Sequence, residues 1–314
     1  MNDVMRKLPV IFIMGPTASG KTDLAIELYK HRACELISVD SALVYRNLNI
    51  GTAKPTAEEL SSAPHHLIDI CEPDQPYSAS QFCLDAKVLI EKILSKGKIP
   101  VLVGGTMLYF KALRDGLADL PEANQTIRKC IADEAEEKGW PFMHEVLKQF
   151  DVESAKRIKP TDPQRIQRAI EVYRISGKTL TAYFNEQSKQ SLLYPILNIA
   201  IAPKDRALLR ERIALRFDIM LEQGFIEEVE GLYHQKALSA ELPAMRSVGY
   251  RQAYEYLSGE IDFSTMREKA IIASHQLAKR QMTWLRSWPD LYWLETGKVD
   301  NYQQLTALID NFKQ

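Results

Sequence analysis

VIFIMGPTASGKT, residues 10–22, decides the architecture of this chain. Its second part, Gly15, Pro16, Thr17, Ala18, Ser19, Gly20, Lys21 and Thr22, follows the phosphate-loop pattern G-x-x-x-x-G-K-[ST]. Val10–Met14 ahead of it is an apolar run of strand length, and Leu24, Ala25 and Leu28 behind it recur at helical spacing. A strand–loop–helix turn aims successive backbone N–H groups at one point, and the helix N-terminus adds partial positive charge, so an anion sits there. Lys21 reaches terminal phosphate oxygens, and the Thr22 hydroxyl is placed to hold a metal ion. The loop therefore predicts a ligand carrying a di- or triphosphate, as in nucleotide- and ATP-binding proteins.

Outward from the loop, strands and helices alternate. Glu35–Val39 reads as a second strand ending at Asp40, Leu67–Ile70 as a third, and Ile99–Val103 as another, closed by Gly104–Gly105. Ser78–Ser95 carries Phe82, Ala86, Leu89, Ile90 and Ile93 at helical spacing. Near-continuous apolar strands between helices predict an α/β fold, a P-loop NTPase-like parallel sheet flanked by helices, with ligands at the carboxyl ends of the strands. After Leu120 the texture changes. Asn124–Lys138, Pro141–Phe150, Val152–Ile158 and Pro163–Ser176 read as helices with no strand between them, an all-helical insertion domain over 121–192. Leu197–Ala202 resumes a strand. Helices over Lys204–Gln223 and Ser264–Arg286, a strand at Leu291–Leu294 and a terminal helix follow, so 1–120 and 193–314 form one catalytic core.

Composition narrows the class. With 46% hydrophobic and 26% charged residues among 314, the chain has an ordinary core and is not globally disordered. Forty basic residues nearly balance 41 acidic ones, but the charges are segregated. Ser154–Lys178 is strongly basic and Asp115–Lys138 acidic, which allows a basic face on a neutral protein. Cys34, Cys71, Cys83 and Cys130 occur singly, without disulfide or zinc spacing. The opening MNDVMRKLPVIFIM has too short an apolar run for a secretory signal, and no stretch approaches membrane-helix length. A soluble, cytoplasmic protein is expected, without contact to membrane and as a monomer, given the near-neutral charge and the lack of exposed apolar heptads.

Several residues are placed to do chemistry. Asp40, at a strand end, either caps the next helix or faces the phosphate loop as a general base or metal ligand. Thr106, after the glycine pair, either caps a helix or donates to a phosphate oxygen. Arg216 borders the apolar stripe Leu209, Ile213, Phe217, Met220 and Leu221, as a snorkelling cation or as a charge on a leaving pyrophosphate. Arg165 and Arg168, beside Gln164 and Gln167, and the run Ala278–Trp288, with Lys279, Arg280, Gln281, Arg286 and two tryptophans, suit solvated faces or phosphate contact with base stacking. On these residues alone, a small-molecule kinase and a non-catalytic nucleotide-gated RNA binder stay open beside an RNA-modifying transferase.

GPTASGKT, ELISVDSALVYRNLNIGTAKP, IPVLVGGTMLYFKAL, DPQRIQRAIEVY, ISGKTLT, RSVGYRQ and LAKRQMTWLR occur in order between Pro9 and Trp288. In this series the chain resembles the bacterial tRNA dimethylallyltransferases, the IPP transferase family. The resemblance implies transfer of a dimethylallyl group from dimethylallyl diphosphate to the exocyclic amino nitrogen of the adenosine 3′ of the anticodon, in tRNAs reading codons that begin with U. It implies that the loop holds a diphosphate, that Asp40 takes the proton, and that Lys21, Thr22, Thr106 and Arg216 neutralise the departing diphosphate, with Mg²⁺ held by Thr22 and phosphate oxygens. It also implies that the insertion grips the tRNA anticodon stem-loop and that the target base is flipped into a channel. The segments matching its tRNA-contacting positions are Asp40, Ser41, Ala42 and Leu43; Gln164, Arg165, Ile166, Gln167 and Arg168; Arg246, Ser247, Val248, Gly249, Tyr250 and Arg251; and Lys279, Arg280, Gln281, Met282, Thr283, Trp284, Leu285 and Arg286.

Overall fold

A computed structural model describes residues 8–186, 191–235 and 238–312. The chain forms two compact units, Met1–Arg114 with Leu192–Gln314, and Asp115–Ser191. The first opens with β1 (Val10–Met14), α1 (Lys21–His31), β2 (Cys34–Val39), α2 (Ala57–Ser62), β3 (His65–His66), α3 (Ala79–Ser95), β4 (Ile99–Gly104) and α4 (Met107–Asp115). The second holds α5 (Gln125–Lys138), α6 (Trp140–Phe150), α7 (Val152–Arg157), α8 (Pro163–Ser176) and α9 (Leu180–Glu186). The first unit then resumes with β5 (Ile196–Ala202), α10 (Arg206–Glu222), α11 (Phe225–Tyr233), α12 (Tyr250–Leu257), α13 (Phe263–Arg286), β6 (Leu291–Glu295) and α14 (Asn301–Asp310).

The six strands pair in parallel in the order β3-β2-β4-β1-β5-β6. β1 is fully buried, as a strand covered on both faces must be, and its side chains alternate between two cores. Val10, Phe12 and Met14 join the α3 and α4 residues Phe82, Ile90 and Phe110. Ile11 and Ile13 join Leu24, Ala25 and Leu28 of α1. The register brings Met14 and Val39 both opposite Gly104, so the carboxyl ends of β1, β4 and β2 finish level. A Cβ at Gly104 would lie 2.0 Å from the Val39 carbonyl oxygen, so only glycine lets these ends approach so closely.

The expected strand at Leu67–Ile70 does not form. Leu67 and Asp69 take left-handed backbone (φ 64° and 54°), which ends the pairing after His66 and turns Ile70 and Cys71 back onto Val44. Trp288, read from sequence with the basic run, is a core residue. Its indole N–H donates to Asn198 Oδ1 at 3.1 Å and the Arg114 guanidinium lies 4.1 Å from its ring centre. The helical unit is organised around Ile131, Met143, Leu147, Ile166 and Ile170. Residues 187–190 of the expected insertion, and 1–7 of the opening segment, lie outside the described residues. Among the described residues no helix is long and apolar enough to cross a membrane.

Candidate active site

The loop between β1 and α1 is held by its carbonyls. Pro16 O accepts from Lys21 Nζ (3.2 Å), Ala18 O from Arg212 Nε (2.9 Å) and Ser19 O from the Thr296 hydroxyl (2.8 Å). With Ala18 and Gly20 in left-handed backbone (φ 62° and 85°), these ties leave the loop free to turn N–H groups toward an anion. Gly15 admits no side chain, since a Cβ would lie 2.5 Å from Ser19 Oγ and 2.6 Å from the Ile201 carbonyl. Arg212 and Thr296 were missed by sequence reasoning. Arg212 stands one helical turn before Arg216 on α10 and was findable by that spacing. Thr296, just after β6, has no sequence signal.

No helix follows Asp40 directly, but its carboxylate closes a turn and also lines the cavity beside the phosphate loop. Oδ1 accepts from the backbone N–H groups of Ala42 (2.8 Å) and Leu43 (3.3 Å), the side-chain turn expected of a capping aspartate. Among the described residues Oδ2 takes no hydrogen bond, and Asp40 lines the same cavity as Thr17, Lys21, Thr22 and Arg216. That cavity has a volume of about 180 Å³ and is closed by Thr52, Phe217, Met220 and the Ser247–Gly249 turn. A wider cleft of about 910 Å³ adjoins it, lined by Ala18, Ser19 and Gly20 of the loop, with Lys21, Thr22, Ala53, Pro55 and Arg216 shared by both. Arg216 reaches into the site, donating to Thr17 Oγ1 at 3.2 Å and toward Thr52 O at 3.5 Å. Burial lowers its guanidinium from the ordinary value, against the pull of Asp40 and Asp23, yet an arginine stays charged at neutral pH. Burial, joined by the Arg216 charge, brings the Lys21 ammonium down to about 8.

Thr106 is not among the residues lining the cavity. Its hydroxyl accepts from Ser41 N–H at 3.1 Å, which pins the Asp40–Leu43 turn to the end of β4. The opposite wall depends on Glu228, which sequence reasoning missed. Its carboxylate accepts from the N–H groups of Asn49 (3.0 Å), Ile50 (2.7 Å) and Gly51 (3.2 Å) and from the Tyr250 hydroxyl, holding the loop that presents Thr52.

Comparison with known proteins gives this cavity its context. Residues 43–288 match the family model "IPP transferase", and residues 8–72 match "Isopentenyl transferase". The chain belongs to the IPP transferase family. It is similar to the solved tRNA isopentenylpyrophosphate transferase of Bacillus halodurans (32% identity, 97% of this chain and 95% of that one covered, TM-score 0.70). It is also similar to the tRNA delta(2)-isopentenylpyrophosphate transferase of Staphylococcus epidermidis (37%, 97% and 99%, TM-score 0.70). A eukaryotic dimethylallyltransferase acting on tRNA superposes with TM-score 0.81 at 26% identity, covering 96% of this chain and 78% of that one. An IPP transferase is a prenyltransferase, so this chain is an enzyme of that class.

The segments with family resemblance divide once they are placed in the structure. Ala42 and Leu43 line the cavity with Ser247, Val248 and Gly249, while Ser41 is exposed. Arg246 and Arg251 are exposed, but Tyr250 is fully buried against Phe225. On α13, Lys279, Arg280, Thr283, Trp284 and Arg286 are exposed, Met282 is half-buried, and Gln281 and Leu285 are buried. In the helical unit, Gln164 and Arg165 are exposed while Ile166 is core. Gln167 donates to Arg128 O (3.0 Å), and Arg168 bonds to Glu171 (2.8 Å) and Pro121 O (2.6 Å). So five consecutive residues supply two exposed side chains, Gln164 and Arg165, the latter paired with Asp162 at 3.3 Å, and the rest build the helix that presents them.

Thr22 and Asp40 are cavity side chains that could hold a divalent cation. Among the described residues no three His, Cys, Asp or Glu side chains come together to hold a metal. The Thr22 hydroxyl, a hard oxygen ligand beside the anion loop, suits Mg²⁺ shared with phosphate oxygens and water.

Proposed function

We propose that this IPP transferase moves a dimethylallyl group from dimethylallyl diphosphate to the exocyclic amino nitrogen of an adenosine in tRNA, releasing diphosphate. The acceptor we assign is the adenosine 3′ of the anticodon in tRNAs that read codons beginning with U. One observation carries the reading: a carboxylate with an uncommitted oxygen and a cationic anion loop line one small cavity. Relatives named for isopentenyl transfer and for acting on tRNA support it.

The diphosphate would lie against the loop amides, with Lys21 and Arg216 on its oxygens. In the reaction the amino nitrogen bonds to the allylic carbon, the carbon–oxygen bond to diphosphate breaks, and Asp40 Oδ2 takes the proton from nitrogen. Allylic carbon tolerates positive charge, so the barrier falls most where the leaving diphosphate is stabilised. Fixed donors in a partly dry cavity do that well. A base and a held acceptor supply the rest, because an aryl amine is a weak nucleophile. Mg²⁺ on Thr22 would add charge neutralisation at the leaving group. Thr106 serves by fixing the Asp40 turn. The exposed cations of α13 and Arg165 in the helical unit would contact tRNA phosphates at the anticodon stem-loop. The protein would work as a monomer in the cytoplasm, where Cys34, Cys71, Cys83 and Cys130 stay reduced.

Incubation with labelled dimethylallyl diphosphate and unmodified tRNA, without ATP, tests this. Label on the amino nitrogen of that adenosine is the expected result. ATP-dependent phosphorylation of a small metabolite, or RNA binding without turnover, would replace this reading with the kinase or the non-catalytic one.

A further inference from the structure

Gln281 stands apart from its neighbours on α13. Only 8% exposed, it turns inward while Lys279, Arg280 and Thr283 face out. Its amide makes two hydrogen bonds, both to backbone on other elements. Oε1 accepts from the Thr17 N–H in the phosphate loop at 3.0 Å. Nε2 donates to the Gly105 carbonyl, at the end of β4, at 2.9 Å. A Cβ at Gly105 would lie 2.3 Å from Nε2, so that glycine is needed for the amide to enter. Thr17 is meanwhile held through its hydroxyl by Arg216 at 3.2 Å. The two contacts demand an acceptor on one side and a donor on the other. A carboxamide offers both in one plane, whereas a carboxylate accepts alone and a lysine or arginine donates alone.

We propose that Gln281 is a positioning residue for prenyl transfer: it locks the Thr17 backbone to the Gly105 turn, so the diphosphate meets a loop already in its binding shape, and it does not contact RNA as the exposed residues beside it do. The proposal rests on the loop being the diphosphate site. Without the amide, the half-buried Thr17 N–H and the buried Gly105 carbonyl lose their partners, and the loop must be ordered by the ligand at the ligand's cost in affinity.

The test compares Gln281→Leu, Gln281→Glu and Gly105→Ala with the parent protein. Calorimetry measures affinity for an unreactive dimethylallyl diphosphate analogue and, separately, for an anticodon stem-loop RNA. Kinetics separate KM for the diphosphate from KM for the RNA. Loss of this hydrogen-bond pair, one bond buried and one part-buried, predicts analogue binding weaker by about ten-fold in each variant. The KM for the diphosphate rises to match, while RNA affinity is unchanged. RNA affinity lost with analogue affinity kept, or both kept, overturns the proposal. If Gln281→Leu fails to fold, Gln281→Glu decides by the same criterion; Gly105→Ala is read only beside it, because its methyl would also meet the Gly15 carbonyl of the loop at 3.2 Å. A parent protein that does not bind the analogue at all overturns the diphosphate reading itself, a failure seen before any variant is compared.

Discussion

The Lys21 ammonium makes diphosphate binding depend on pH in a way that can be calculated. Burial, with Arg216 beside it, brings the group to about 8 in the free protein. A bound diphosphate adds to the countercharge of Asp40 and Asp23, so it raises that value and binding takes up a proton. Affinity then falls as pH climbs through about 8. With the bound-state value at about 10 or higher, the ratio of protonated fractions gives roughly ten-fold weaker binding at pH 9 than at pH 7. The same shift acts on stability in the opposite sense. Between pH 8 and 10.5 the unfolded chain holds a proton that the fold has released, so this group makes the free protein more stable as pH rises through that window. The assay is calorimetry with the unreactive analogue at both pH values, repeated in two buffers of different ionisation enthalpy to count protons. Lys21→Arg keeps its charge throughout and should bind with a nearly flat profile. A ten-fold slope that survives in Lys21→Arg, or a parent profile that is flat, refutes the reasoning.

Four further outcomes follow from the same geometry. Asp40→Asn keeps an oxygen for the Ala42 and Leu43 N–H groups and removes only the base, so turnover should fall about 10²- to 10⁴-fold with RNA affinity unchanged, measured by single-turnover kinetics and filter binding. Arg165→Ala should leave melting unchanged and lower the salt slope of tRNA binding by about one. Arg168→Ala should instead destabilise the helical unit by about 2–3 kcal/mol in denaturant titration, because it takes one of two arginines from the fully buried Glu171 carboxylate. Burial pushes the Glu35 carboxyl up, but hydrogen bonds from Lys96, His66 and Lys98 prevail and bring it to about 2. Its contribution, on the order of 2 kcal/mol, is complete above pH 4.5 and lost as pH falls toward 2, so the melting gap to Glu35→Gln should close in acid.

What could be read in advance followed from local pattern. Val10–Met14 is apolar at every position, and a strand buried on both faces must be. The helix Pro163–Ser176 begins at a proline after a capping aspartate and ends at a left-handed glycine, so both its bounds were legible. β3 was misplaced because Leu67 is apolar yet left-handed, a conformation set by the turn back onto Val44 and not by side-chain character. Asp40, Lys21 and Arg216 could be singled out because charge beside a phosphate loop is conspicuous, and the structure brings all three to one cavity. Gln281, Glu228 and Thr296 act through backbone partners between 150 and 280 positions away in sequence, and polar residues on helices or turns carry no mark of such partners. Arg168 and Trp288 looked like RNA contacts because composition cannot separate an exposed cation or ring from one already satisfied inside the protein.

The most direct measurement is a structure of the protein with the unreactive diphosphate analogue and an anticodon stem-loop. The account predicts the diphosphate on the loop beside Lys21 and Arg216, with the exocyclic nitrogen of the flipped adenine about 3 Å from Asp40 Oδ2. An adenine that stays stacked in the RNA, or one seated with its amino group away from that oxygen, would contradict it.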